Sequence, residues 1–148
     1  MIISTLIIAV SAVLFLYWFR YTCVLILSTR TTRDYSEEVA TANELAFAEV
    51  QDLLGSAAAG DLDTLQKLLE RDYRVVNDLM KRATDLRVGG DTLEEAMLRI
   101  DFRVMSVWYN LSRRYSLSNA RTALDEMSQV VAHFANSCGK RAAESADA

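Results

Sequence analysis

Side chains suited to chemistry are scarce: the chain holds one histidine, His133, and two cysteines, Cys23 and Cys138. A di-iron site inside a helical domain draws on two Glu-x-x-His pairs, so a single histidine excludes it. Zinc sites of the Cys/His type need clustered ligands, and these cysteines lie 115 positions apart. A haem held by His133 and a methionine would want a C-x-x-C-H attachment sequence, which is absent; a histidine in or beside a core is the simpler reading. Gly89 and Gly90, in RVGGD, lack both the G-x-G-x-x-G spacing and the lysine that cradle phosphates, so they read as a helix stop. There is no G-x-S-x-G elbow, and the carboxylates mix with Lys and Arg along helical faces as on a solvated surface. The sequence thus predicts no catalytic residue, no metal site and no cofactor, and hence a non-enzymatic role.

Two clusters carry other chemistry. In DFRVMSVWYNLSRRY, Asp101 to Tyr115, aromatic residues alternate with arginines, a mixture favoured at protein interfaces and at lipid headgroups. One reading places Phe102 and Trp108 in a core, with the arginines paired to acids on the surface. The other makes Arg103, Trp108, Tyr109, Arg113 and Arg114 a docking surface for a partner or for the bilayer. The second cluster is Tyr17, Trp18, Arg20 and Tyr21, the composition of a membrane-interface belt.

That belt lies within Ile2 to Leu27, a run of 26 residues whose one charged member is Arg20. As a helix the run spans about 39 Å, longer than a hydrocarbon core of about 30 Å. Ile2 to Phe19 holds eleven Leu, Ile, Val or Phe residues. At about 0.3 to 0.6 kcal/mol each, they offset the roughly 2.5 kcal/mol or more that a central arginine costs. Arg20 sits seven residues from the end of the run and reaches the headgroups by its own stem. A cleaved signal is the rival reading, but it wants a basic start and a shorter apolar stretch. Arg20, Arg30 and Arg33 precede the first acid, Asp34, so the positive-inside rule predicts a cytoplasmic C-terminal side.

The residues after the anchor lack proline and strand-like alternation, and read as four helices. The first runs from about Tyr35 to Leu54, with Val39, Ala42, Ala46, Val50 and Leu53 on one stripe. The second runs from Asp61 or Asp63 to about Arg87 along Leu62, Leu65, Leu69, Val76, Leu79, Ala83 and Leu86. The third, about Thr92 to Tyr115, opens on a capping box of Asp91 and Glu94 and aligns Leu93, Met97, Ile100, Val104, Trp108 and Leu111 as its apolar face. The fourth opens near Ser116 or Ser118, carries Ala120, Leu124, Met127, Val131 and Phe134, and ends near Gly139.

The expected architecture is all-α: a transmembrane anchor over 1–28, a juxtamembrane segment over 29–35, an antiparallel bundle of about four helices over 36–138, and a flexible tail over 139–148. Two long hairpins completed by a partner share the same periodicity. Removing Arg20 from the 16 basic residues leaves 15 against 20 acidic ones in the body, a net −5, which speaks against nucleic-acid binding. The function expected is a membrane-anchored adaptor or small accessory subunit that binds lipid through residues 2–27 and a protein partner or second copy through its helices. The alternative is an extracytoplasmic sensory bundle with reversed topology.

Overall fold

A computed structural model describes residues 1–29, 33–56, 61–85 and 92–147. Among them every element is an α-helix: α1 (Ile2–Ser28), α2 (Ser36–Asn43), α3 (Phe47–Gly55), α4 (Leu62–Asp85), α5 (Leu93–Ser112) and α6 (Leu117–Ala146). The expected stop at Gly89 and Gly90, the Asp91 cap, Leu86, Arg87 and the flanking Arg30 lie outside the described residues.

The chain divides into two compact units, residues 1–30 and 31–148. The first is α1, 27 residues long and apolar enough to cross a membrane. Its large apolar side chains from Ile2 to Trp18 are exposed around the whole circumference, so no single face of this stretch is set apart as a core face.

In the second unit the helix expected over Tyr35 to Leu54 is two helices. Glu44 turns into the left-handed region, φ 53°, and ends α2, with the Leu45 N–H donating to the Ala40 carbonyl at 2.9 Å. Neither glycine nor proline marks this break. Its cause is Asp72 on α4, fully buried, whose Oδ2 accepts from the Ala46 N–H at 2.6 Å and so caps α3 from outside the segment. Arg71 donates to the Glu44 carbonyl at 3.0 Å and to Asp72 Oδ1 at 2.9 Å, tying both ends of the break to one place on α4.

The starts of the other helices follow local rules. Asp34 accepts the Ser36 N–H, Asp61 accepts the Asp63 N–H, and Ser116 accepts the Asn119 N–H. The cap of α5 is Thr92, which accepts the Glu95 N–H at 3.2 Å.

The core is organised around α6, which packs against α2, α3, α4 and α5. Ala120, Ala123, Leu124, Met127, Val130, Val131, Phe134 and Ala135 are all buried, a far wider face than one amphipathic stripe. Ser128 is tolerated there because its hydroxyl donates to the Asp125 carbonyl at 2.6 Å. The helix does not end near Gly139. It continues to Ala146, and at Gly139 an added Cβ would collide with that of Tyr35, whose N–H donates to Asn136 Oδ1 at 2.9 Å. Glycine there lets the segment entering α2 lie directly on α6.

Helices α4 and α5 run antiparallel and meet through side chains in sequence. Asp63 meets Tyr109, Glu70 meets Ser106, Tyr73 stacks on Phe102 with centroids 3.9 Å apart, and Asn77 accepts from Arg99. Phe134 of α6 closes on Tyr73 at 6.1 Å.

Candidate docking face on α5

Helix α5 carries two stripes, and the domain buries the less apolar one. Glu95, Leu98, Asp101, Phe102, Met105, Tyr109 and Ser112 point inward. The set expected as core lies outside: Leu93 is 77% exposed, Ile100 53%, Val104 43% and Leu111 55%, with Met97 partly covered. Val107, at 69%, joins them.

The cause is the set of long-range partners that the inner stripe finds. Tyr109 donates to Asp63 at 2.7 Å, Phe102 stacks on Tyr73, and the Glu95 carboxylate pairs with Arg141 of α6. A buried carboxylate or phenol is costly alone and tolerable with a charged or hydrogen-bonding partner. Leu93, Ile100 and Val107 could have entered any apolar core, but only the inner stripe matches α4 and α6 group for group.

The expected docking residues separate accordingly. Trp108, 45% exposed, belongs to the outer stripe and not to the core. Arg103, on the opposite edge of the stripe, and Arg114 are exposed, and Tyr115 and Leu117 extend the apolar surface past the end of α5. Tyr109 leaves the set: it is 1% exposed, and its hydroxyl is held by Asp63. Arg113 donates to the same Asp63 oxygen at 2.6 Å, so its guanidinium serves the α4–α5 seam. Sequence reasoning missed Val107, Tyr115 and Leu117 as surface residues. The available signal was that α5 has two candidate stripes where an ordinary amphipathic helix has one.

The Tyr109 hydrogen bond, and then Arg113, hold the Asp63 carboxyl below the usual carboxylate range. Burial, reinforced by Asp63, pushes Tyr109 up to about 12. At the other end of α5, Glu94 and Glu95 lie near His133, Lys140, Arg141 and Glu144 of α6. Burial lowers the His133 pKa, opposed by the two glutamates. One oxygen of Glu95 has no hydrogen-bond partner while the other takes Arg141. Among the described residues no cluster of His, Cys, Asp and Glu is arranged to hold a metal ion.

In α1, Tyr17, Trp18 and Tyr21 are exposed, and the Phe15 ring lies 6.3 Å from that of Trp18. With Arg20 they lie in the C-terminal half of the helix, ahead of the apolar run Val24 to Leu27.

No protein-family model, curated protein or solved structure matches this chain.

Proposed function

We propose that this chain is a single-pass membrane protein whose helical bundle domain acts in the cytoplasm as a non-enzymatic interaction module, an adaptor or small accessory subunit of a larger membrane complex. The observation that carries this reading is the outer stripe of α5. Leu93, Ile100, Val104, Val107, Trp108 and Leu111 form a contiguous exposed apolar surface along a helix whose opposite side is already fixed in the core. Water-exposed apolar patches beyond a few hundred Å² mark surfaces meant to be covered.

The anchor supports the same reading. A helix of 27 residues with apolar side chains on every side is stable in lipid and costly in water. Tyr17, Trp18, Arg20 and Tyr21 then sit toward a headgroup layer, and the arginines after the run orient the domain to the cytoplasm. Tethering raises the local concentration of the docking face for a partner in the same membrane.

The test has two parts. The full chain should stay in the pellet after carbonate washing of membranes. A tagged full chain extracted in mild detergent should retain a stoichiometric partner that Val107→Glu and Trp108→Glu both release, with helicity unchanged. A chain recovered in the carbonate supernatant, or a partner indifferent to both substitutions, would overturn the reading.

A further inference from the structure

The outer stripe of α5 has a stricter pattern than exposure alone requires. Leu93, Met97, Ile100, Val104, Val107 and Leu111 follow one another at steps of four, three, four, three and four. This is the alternation of the two apolar positions of a heptad, sustained along the 20 residues of α5. A helix packed only against its own domain needs no such seam on its free side. The seam is what a helix presents to another helix.

We propose that a second copy of this chain covers the stripe, with α5 packed parallel to α5 about a two-fold axis. This rests on the reading of α5 as a docking face and names its occupant. The flanking residues argue for a parallel self-pair. One flank of the seam carries Ala96, Arg103 and Asn110, and the other carries Glu94 and Trp108, with Asp101 between them turned into the core. In a parallel pair each residue of the first flank faces the residue five places later on the other copy. Arg103 then lies against Trp108 of the other copy, a cation over an indole face. In an antiparallel pair with the same seam in register, like flanks meet, and Arg103 faces Arg103. The parallel arrangement removes that repulsion and gives Trp108 a cationic neighbour.

The stripe is exposed along its whole length, from Leu93 at 77% to Leu111 at 55%, a continuous apolar surface of the kind that specific interfaces of about 800 Å² per partner cover. A two-fold interface uses the same patch twice, so one stripe is all that self-association requires. Two copies anchored in one membrane also meet at a raised effective concentration.

Sedimentation equilibrium of the purified full chain in density-matched detergent should show a reversible monomer–dimer equilibrium. Ile100→Glu and Val107→Glu should each weaken it about tenfold or more with an unchanged circular dichroism spectrum, whereas Ile100→Leu should not. In a background of Cys23→Ser and Cys138→Ser, Val104→Cys should cross-link to itself on oxidation, and Thr122→Cys, exposed on α6, should not. A monomer at every concentration, or a dimer unmoved by both glutamates, would overturn the proposal. So would cross-linking of Ile100→Cys to Val104→Cys without self-linking of the latter, since that is the antiparallel pair. If the chain is monomeric while Val107→Glu still releases a different protein from the detergent extract, self-pairing falls and the docking reading stands. If neither changes, both fall.

Discussion

At the scale of single residues, the α4–α5 seam stores its chemistry in Tyr109, Asp63 and Arg113. Tyr109 keeps its proton up to about pH 12, whereas an unfolded tyrosine releases it near 10. Between those values the folded chain holds a proton that the unfolded chain has lost, so stability falls as pH rises through that window. Tyr109→Phe should remove this alkaline loss at a cost near neutral pH of about 0.5 to 1.5 kcal/mol, the usual worth of one hydrogen bond. Chemical denaturation of both proteins from pH 8 to 12 measures it. Tyr109 was legible as an aromatic residue beside arginines but not as a core residue, because its partner Asp63 lies 46 positions away. The same distance effect hid the role of Asp72. Nothing in the run from Glu44 to Phe47 announces a helix start, and the carboxylate that caps it is 26 positions downstream.

At the scale of the elements, α5 has an inner face and an outer face of opposite energetic meaning. Phe102→Ala should cost about 3 to 5 kcal/mol, since it empties a stacked position against Tyr73. Trp108→Ala, less than two turns away but on the outer stripe, should cost no more than about 0.5 kcal/mol in the isolated protomer, as for a surface substitution without partners. Thermal or denaturant unfolding of the two variants, read at dilution where protomers stand alone, ranks the faces directly. Gly139→Ala should destabilise by about 1 to 3 kcal/mol, because α6 and the segment at Tyr35 can accommodate a methyl only by moving apart. The helices themselves were mostly legible: α4, α5 and α6 begin within a residue or two of their expected starts. Periodicity found the outer stripe of α5 and the buried stripe of α6, and took the former for a core face. It reports which residues share a face and is silent about what that face meets.

At the scale of the molecule, the unit over residues 31–148 has its own buried core, while α1 has apolar residues all round. A fragment beginning at Arg33 should therefore be soluble and strongly helical by circular dichroism; a mostly unfolded spectrum would mean that the core depends on the anchor or on a partner. The all-helical class and the apolar N-terminal helix were legible from composition and run length alone. What lay beyond the sequence was the central place of α6, because burial of Ala123, Val130 and Ala135 beside the legible stripe of Leu124, Met127, Val131 and Phe134 depends on the four helices that pack around it. That place has a temporal corollary. A ribosome makes α2, α3, α4 and α5 before the helix on which all four lean, so for the seconds of synthesis they lack most of the interior they share in the finished fold. Nascent chains arrested at Tyr115 should remain open to protease, and only release of α6 should close them, so the domain matures only once nearly all of its residues have been joined.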